Sequence, residues 1–220
     1  MNAIDLLLDD YVAHASPQRA EKMEAYMKHK FRFYGLPSPL RKELQGPLIA
    51  GCKKSSIEEI VDITGQLWSL PHRECQYTAM DLLIRHKRQL TAQHVSFVHD
   101  LIITKSWWDT VDALASHLIG QLFFENLELR QNYLTIWLKS ENIWLNRTCL
   151  LFQLKYKDHS DFAVLRSSIE RVIHKNEFFI QKAIGWALRQ HSKHFREDVA
   201  SFVQDIELSN VALREAKKYL

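Results

Sequence analysis

The stretch from Thr104 to Asp112 holds the residues best suited to chemistry, because it joins two adjacent tryptophans to a nearby carboxylate. Trp108 and Asp112 are four residues apart, a spacing that places both side chains on one face of a helix. An indole face attracts cations, and a carboxylate attracts them more strongly. The pair therefore suits a planar, cationic ligand, although a core tryptophan beside a helix-surface aspartate is the commoner meaning of such a stretch taken alone.

Arg147 and a stripe on a later helix supply the positive charge that an anionic ligand needs. Arg147 is a candidate phosphate clamp, since a guanidinium grips phosphate through two parallel hydrogen bonds; an exposed helix arginine is an equal alternative. Lys182, Trp186 and Arg189 are spaced i, i+4 and i+7 and so share one helical stripe. A tryptophan between two cations suits a nucleic-acid surface, although Trp186 alone would more often be a core residue.

Further basic and aromatic side chains lie nearer the two ends of the chain. Tyr26 lies on the predicted second helix, among cations that fit phosphate contacts and a solvated face equally well. Near the other end, Arg214 forms a basic stripe with Lys217 and Lys218. None of these features is specific alone. Together with the tryptophans and Asp112 they predict a basic groove with an aromatic, acidic centre.

Composition excludes several classes of protein. The chain has 220 residues, of which 46% are hydrophobic and 25% charged, so it is neither disordered nor membranous in composition. No apolar run approaches the length that crosses a bilayer, and the N-terminus lacks the pattern of a secretory signal. The net charge of +3 says nothing by itself about nucleic acid, because only the face that meets the ligand matters. We expect a cytoplasmic protein without membrane contact.

The cysteines and histidines predict neither a disulfide framework nor a metal site. Cys52, Cys75 and Cys149 are scattered, odd in number and without CxxC spacing, which fits a reducing compartment. The histidines show no HxxxH pair or other clustered ligand pattern. We therefore expect no bound metal.

The chain predicts an all-α fold in a single domain spanning residues 1–220. Glycine (6) and proline (5) are scarce, strand-like alternation is nearly absent, and apolar residues recur at helical spacing almost throughout. Helices are predicted to begin roughly every 35 residues, near Arg73, Trp107, Ile143, Phe178 and Asn210, and an amphipathic helix precedes each. This period is typical of HEAT-like or armadillo-like helical-repeat solenoids. The second helix of each pair is expected to line a concave face.

With these segments in view, the sequence resembles the DNA alkylation repair family, the AlkD type of HEAT-repeat DNA glycosylases. The resemblance extends through nearly the whole chain. It is most specific in the Ser-Trp-Trp-Asp stretch at 106–109 and continues at Asn142 to Arg147, Phe152 to Lys157 and Phe178 to Trp186.

The resemblance implies a function and a set of site residues. It implies hydrolysis of the N-glycosidic bond of cationic N3- and N7-alkylated purines in double-stranded DNA, without metal or cofactor. The family's aromatic–carboxylate–aromatic cleft corresponds to Trp108, Asp112 and Trp186, its phosphate-holding arginine to Arg147, and a tyrosine of its second helix to Tyr26. One position departs from the pattern: Pro37 stands where family members carry a glutamine that approaches DNA. Proline cannot supply that side-chain hydrogen bond, so we expect binding or substrate range to differ.

Two other functions fit the same pattern. The first is a noncatalytic relative that binds damaged or branched DNA with the same groove, and the retention of Asp112 with both tryptophans argues for the enzyme instead. The second is a protein–protein scaffold, the commonest use of such solenoids, which would show no salt-dependent affinity for DNA. We expect a monomer, since the protein would track along a duplex.

Overall fold

The structure is a computed structural model that describes residues 2–220. Over these residues the chain is helical, with short 3₁₀ turns and no β-strand. An isolated bridge pairs Arg32 with His72. The all-α, helical-repeat prediction is confirmed. The chain groups into two compact units, Met1–Gln89 and Leu90–Leu220. The single-domain prediction stays a prediction.

The first unit contains six α-helices over its described residues. Their bounds are α1 Ala3–Ala13, α2 Pro17–Tyr26, α3 Ser38–Leu44, α4 Gly46–Gly51, α5 Ile57–Ser69 and α6 Arg73–Arg85. The turn before α3 is tied to α6 by Glu74, whose buried carboxylate accepts backbone N–H bonds from Tyr34, Gly35 and Leu36 at 3.1, 2.9 and 3.1 Å. A buried charge is tolerated there because several donors satisfy it.

The second unit contains paired helices at the predicted period. Their bounds are α7 Val95–Ile103, α8 Trp108–Ala113, α9 Gly120–Glu125, α10 Leu127–Trp137, α11 Ile143–Leu151, α12 Phe162–Val172, α13 Phe178–His191, α14 Arg196–Asp205 and α15 Asn210–Ala216. A π-helical turn, Leu114–Ile119, joins α8 to α9 without a break. The second helices of successive pairs pack in series, α8 on α11, α11 on α13 and α13 on α15.

Side-chain caps fix where several of these helices begin. Asn142 accepts from the backbone N–H of Trp144 at the start of α11, and Asp161 accepts from Val164 at the start of α12. Such caps satisfy amide groups that have no partner inside the helix. Helix α3 has no side-chain cap: Pro37 occupies the cap position, and Ser38 is the first helical residue.

Gly185 allows α13 to lie directly against α15. A Cβ at this position would come 2.5 Å from the backbone oxygen of Ala212 and 2.6 Å from Cβ of Glu215. Backbone cannot yield to such an approach as a flexible side chain can. The close contact between α13 and α15 therefore requires glycine at position 185.

We predict that Gly185→Ala destabilises the fold by about 1–3 kcal/mol, because the added methyl group forces α13 and α15 apart. Gly65→Ala is the matched control, since Gly65 is also helical but has open space, with nothing within 4 Å, where a Cβ would lie. Alanine there should add about 0.5–1 kcal/mol. Urea unfolding measures both. Equal effects of the two substitutions would contradict the packing described.

Candidate active site

Helix α8 presents Trp108 and Asp112 on its partly exposed face. Its opposite face is anchored by Thr110 and Val111, which are fully buried. The helix begins at Trp108, after an extended Trp107, so the two predicted residues are one turn apart as their spacing required. The π-helical turn follows directly, and Ser116 in it donates to the backbone oxygen of Asp112 at 2.8 Å. π-Turns of this kind are frequent at functional sites.

Helix α13 presents the second tryptophan. Ala183, Ile184 and Ala187 are buried against the rest of the unit, and this leaves Trp186 on the half-exposed face. Lys182 and Arg189 are half-exposed on the same helix, as the predicted stripe requires. Lys182, Trp186 and Arg189 therefore share one side of α13, as predicted. Trp186 lines a cleft, whereas the two cations contact a carboxylate on α15.

One cleft of about 490 Å³ brings Trp108, Asp112 and Trp186 together. All of its lining residues belong to the second unit. The remaining ones are contributed by α8, the π-turn, the segment that follows α11, and α13: Asp109, Ala113, Ser116, Leu154, Lys155 and Gln190. The two indoles and the carboxylate that the sequence singled out thus face a common space.

Asp112 and Arg147 form a two-point ion pair. Nε of Arg147 donates to Oδ1 of Asp112 at 2.7 Å, and Nη2 donates to Oδ2 at 2.8 Å. The Arg147 side chain is 6% exposed and that of Asp112 is 15% exposed. Asp112 lines the cleft and Arg147 does not. The carboxylate of Asp112 therefore faces the cleft, and the guanidinium of Arg147 lies behind it, away from the cleft.

The position of Arg147 is fixed by a third bond. Its Nη1 donates to the backbone oxygen of Phe179, at the start of α13. The Phe179 ring packs against Trp107 and Trp144, with ring centroids 4.9 and 5.1 Å apart. The guanidinium predicted to hold a phosphate is thus already bound on three of its N–H groups to protein oxygens. That binding role stays a prediction, and the bonds to Asp112 are what the sequence did not show.

Burial and Arg147 act in opposite directions on Asp112. Burial raises the pKa of the Asp112 carboxyl, the hydrogen bonds and charge of Arg147 lower it, and the nearby Asp109 raises it further. The pKa remains raised on balance. Arg147 is therefore the group that favours the ionised form of Asp112, and burial is the main effect that opposes it.

Lys182 and Arg189 meet at one carboxylate on α15. Nζ of Lys182 lies 2.9 Å from Oε1 of Glu215, and Nη1 of Arg189 lies 2.7 Å from Oε2; Lys218 reaches the same Oε2 at 2.9 Å. Hydrogen bonds from Lys218 and Lys182 lower the pKa of Glu215 to about 2. Neither Lys182 nor Arg189 lines the cleft. Sequence spacing predicted their shared stripe but not this acidic neighbour.

The other two predicted DNA contacts lie outside the cleft. Arg214 is exposed on α15, one residue before Glu215. Tyr26 ends α2 in the first unit, with 70% of its surface exposed. Both keep the exposure that a DNA contact requires, and their roles stay predictions.

Sequence reasoning missed Lys155 and Gln190 as cleft residues. Lys155 is exposed and makes no ion pair within residues 2–220, so it is an available cation at the edge of the cleft. Gln190 lies four residues after Trp186, so the spacing that linked Trp108 to Asp112 would have found it. Lys155 lies beyond the last residue of α11, where no helical spacing applies.

Within the described part of the chain, no group of three or more His, Cys, Asp or Glu side chains is arranged to hold a metal ion. Cys52, Cys75 and Cys149 are buried thiols. None of the helices over residues 2–220 combines the length and the apolar character needed to cross a membrane.

Comparison with known proteins finds one matching family. Residues 7–220 match the family model of the DNA alkylation repair enzymes. A predicted DNA alkylation repair enzyme from Enterococcus faecalis is 33% identical, with a TM-score of 0.87 over 94% of this chain and 96% of that one. A search of curated proteins gives no match.

Two more distant structures share the fold alone. AlkD2 from Streptococcus mutans is 17% identical, with a TM-score of 0.64 over 91% of this chain and 99% of that one. The smu.31 protein from Streptococcus mutans UA159 is 16% identical, with a TM-score of 0.63 over 92% of this chain and 98% of that one.

The cluster at Glu215 predicts acid sensitivity. Its folded-state pKa of about 2 lies below the ordinary value of 4.5, so its stabilising effect is complete above that value and is lost as pH falls towards 2. In Glu215→Gln, the free energy of unfolding should fall less steeply than in wild type across this window. Urea titrations at several pH values measure it. Glu170→Gln, which removes an exposed pair with Arg166, is the control and should behave as wild type; identical curves for both variants would contradict the assignment.

Proposed function

Since the chain belongs to the DNA alkylation repair enzyme family, we propose that it is a DNA glycosylase that hydrolyses the N-glycosidic bond of cationic N3- and N7-alkylated purines in double-stranded DNA. The observation that carries the proposal is the placement of Asp112 with Trp108 and Trp186 in one cleft. We propose that the protein acts as a monomer in base excision repair.

The proposed reaction needs no acid to release the base. An alkylated purine carries a positive charge, and when the C1′–N bond breaks its electron pair moves onto the base, which leaves neutral. The positive charge moves to deoxyribose as an oxocarbenium ion. Water then adds to C1′ and loses a proton, and the product is an abasic site. A paired-carboxylate motif, with one group as general acid, is therefore unnecessary.

Asp112 is suited to stabilise the charge that develops on the sugar. Its carboxylate faces the cleft, and Arg147 holds both oxygens in place from behind. Pre-aimed electrostatic stabilisation of this kind is worth about 3 kcal/mol, or two to three powers of ten in rate. The positive charge of Arg147 cancels much of the negative charge of Asp112. The carboxylate is nevertheless the end of the ion pair that faces the cleft, so the substrate meets its negative charge first.

The two tryptophans are suited to enclose the same cation. Trp108 and Trp186 line the cleft with Asp112, and indole faces attract cations that have lost their water. We propose that they flank the deoxyribose, so that the enzyme acts on the sugar–phosphate side of the nucleotide. Lys155 at the cleft edge is suited to an adjacent phosphate.

One observation favours a second candidate, a noncatalytic binder of damaged or branched DNA. Both oxygens of Asp112 already accept hydrogen bonds from Arg147 in the protein alone, as they would in a purely structural ion pair. The enzyme and the binder differ in one measurable respect: only the enzyme releases free base.

We predict that Asp112→Asn reduces release of 7-methylguanine from methylated duplex DNA by about 10²–10³-fold, because the neutral amide cannot stabilise the sugar cation. DNA affinity should change little. Asp109→Asn is the matched control, since Asp109 lies on the same helix and lines the same cleft; it should retain most of the release rate. Chromatography of released base and fluorescence anisotropy of bound duplex measure the two properties.

Either of two results would reject this mechanism. If wild-type protein binds methylated DNA but releases no base, the noncatalytic binder is the better description. If Asp112→Asn and Asp109→Asn release base equally fast, the carboxylate has no special role. Thermal unfolding of each variant separates loss of chemistry from loss of fold.

The pH dependence of the release rate should follow the pKa of Asp112. Because that pKa is raised, activity should fall on the acid side at a higher pH than for an ordinary carboxyl. Arg147→Gln removes the group that lowers the pKa and should move the acid limb to higher pH. Asp109→Asn removes a group that raises it and should move the limb to lower pH. Single-turnover rates from pH 4 to 9 measure these shifts; limbs that do not move in opposite directions would contradict the role of Asp112.

A further inference from the structure

A second cleft, of about 900 Å³, lies wholly within the first unit. Its walls come from α3, from α4 and the 3₁₀ turn after it, and from the C-terminal end of α6 with the residues up to Gln89. None of these residues belongs to the Asp112 cleft. The function proposed above gives this cleft no role.

Three exposed cations line the cleft, one from each of its walls. Lys42 comes from α3, Lys53 from the turn after α4, and Arg85 from the last position of α6. None of the three makes an ion pair or a side-chain hydrogen bond within residues 2–220. Three long cationic side chains around one space repel one another unless an anion lies between them.

The one carboxylate in the lining does not neutralise these cations. Oδ2 of Asp81 accepts hydrogen bonds from Nη2 of Arg41 and Nε2 of Gln45, both at 2.9 Å. Arg41 is only 5% exposed and does not line the cleft. It compensates Asp81 from within the protein, much as Arg147 lies behind Asp112. Arg41 and its neighbour in sequence, Lys42, therefore differ: Arg41 is bound inside the protein and Lys42 is available at the cleft.

The lining indicates what kind of anion fits. Apart from the charged and amide side chains and the imidazole of His86, the lining is small or aliphatic, with Gly46, Ile49, Ala50 and Ile84. It includes no Phe, Tyr or Trp to serve as a stacking platform for a run of nucleobases. The space is far larger than one phosphate ion. Flexible cations spread along such a cleft suit a run of backbone phosphates, which need charge rather than base-specific geometry.

We propose that this cleft binds the phosphodiester backbone of DNA, through Lys42, Lys53 and Arg85, independently of base sequence and of damage. The site adds affinity and residence on the duplex and takes no part in bond cleavage. The inference rests on the proposed function only for the identity of the polymer, and binding to undamaged DNA tests it without any base release.

The experiment compares two triple variants with the same change of charge. The first is Lys42→Gln/Lys53→Gln/Arg85→Gln. The control is Lys139→Gln/Arg166→Gln/Arg171→Gln, which removes three exposed cations of the second unit that line neither this cleft nor the Asp112 cleft. Affinity for an undamaged duplex is measured by fluorescence anisotropy from 50 to 300 mM salt. The single-turnover release rate at saturating protein is measured on methylated duplex.

For the first variant we expect the slope of log affinity against log salt to become shallower by about 2.7, or about 0.9 for each phosphate that is no longer neutralised. Affinity at 0.1 M salt should fall on the order of 100-fold, and the release rate at saturation should not change. The control should keep the wild-type slope. Unaltered binding by the first variant, or an equal fall in affinity in both variants, would overturn the proposal.

Titration with inorganic phosphate distinguishes a small-anion site. If wild-type protein binds phosphate ion at micromolar concentration and the first variant does not, the cleft holds a free anion and the proposal is wrong. If the first variant loses DNA affinity while neither protein releases base, this inference stands and the proposed glycosylase activity fails.

Discussion

The ion pair between Asp112 and Arg147 is the interaction on which the arrangement of the cleft depends. It joins α8 to α11, and the bond from Arg147 to the Phe179 oxygen extends it to α13, which carries Trp186. Three consecutive second helices are thus tied together at one guanidinium. Without such a partner, burial would raise the pKa of the carboxyl further, and a loosely held carboxylate would not keep its orientation towards the cleft. Arg147 thus favours the negative charge of Asp112 and also fixes the orientation of its carboxylate.

In both units a carboxylate binds cationic side chains of the protein itself, but the units differ in which cations stay available to a ligand. In the first unit buried Arg41 binds Asp81, and the exposed cations around that pair remain available. In the second unit Glu215 gathers Lys182, Arg189 and Lys218, so those cations are held by the protein itself. Counting basic residues along the chain does not distinguish these cases. The cations available to an anionic ligand are those that no carboxylate already binds.

Much of the fold could be predicted from sequence because its causes are local. Helical periodicity, the regular spacing between the starts of successive second helices, and the four-residue step from Trp108 to Asp112 all act within one or two helices, and the structure has them. The pairing of Asp112 with Arg147 joins residues 35 positions apart, and the pairing of Lys182 with Glu215 joins residues 33 apart. Such contacts arise only when helices pack, and no spacing rule reports them. The departure at Pro37 has a structural place, the cap of α3, but no visible consequence for the cleft.

The central claim is that Asp112 recognises positive charge on the sugar, and equilibrium binding to two abasic-site analogues tests it most directly. One duplex carries a cationic pyrrolidine in place of deoxyribose, and the other carries neutral tetrahydrofuran. We predict that wild-type protein binds the cationic duplex on the order of 100-fold more tightly, and that Asp112→Asn loses this preference while its affinity for the neutral duplex is unchanged. Equal affinity of wild-type protein for both duplexes, or a preference that survives in Asp112→Asn, would contradict the account.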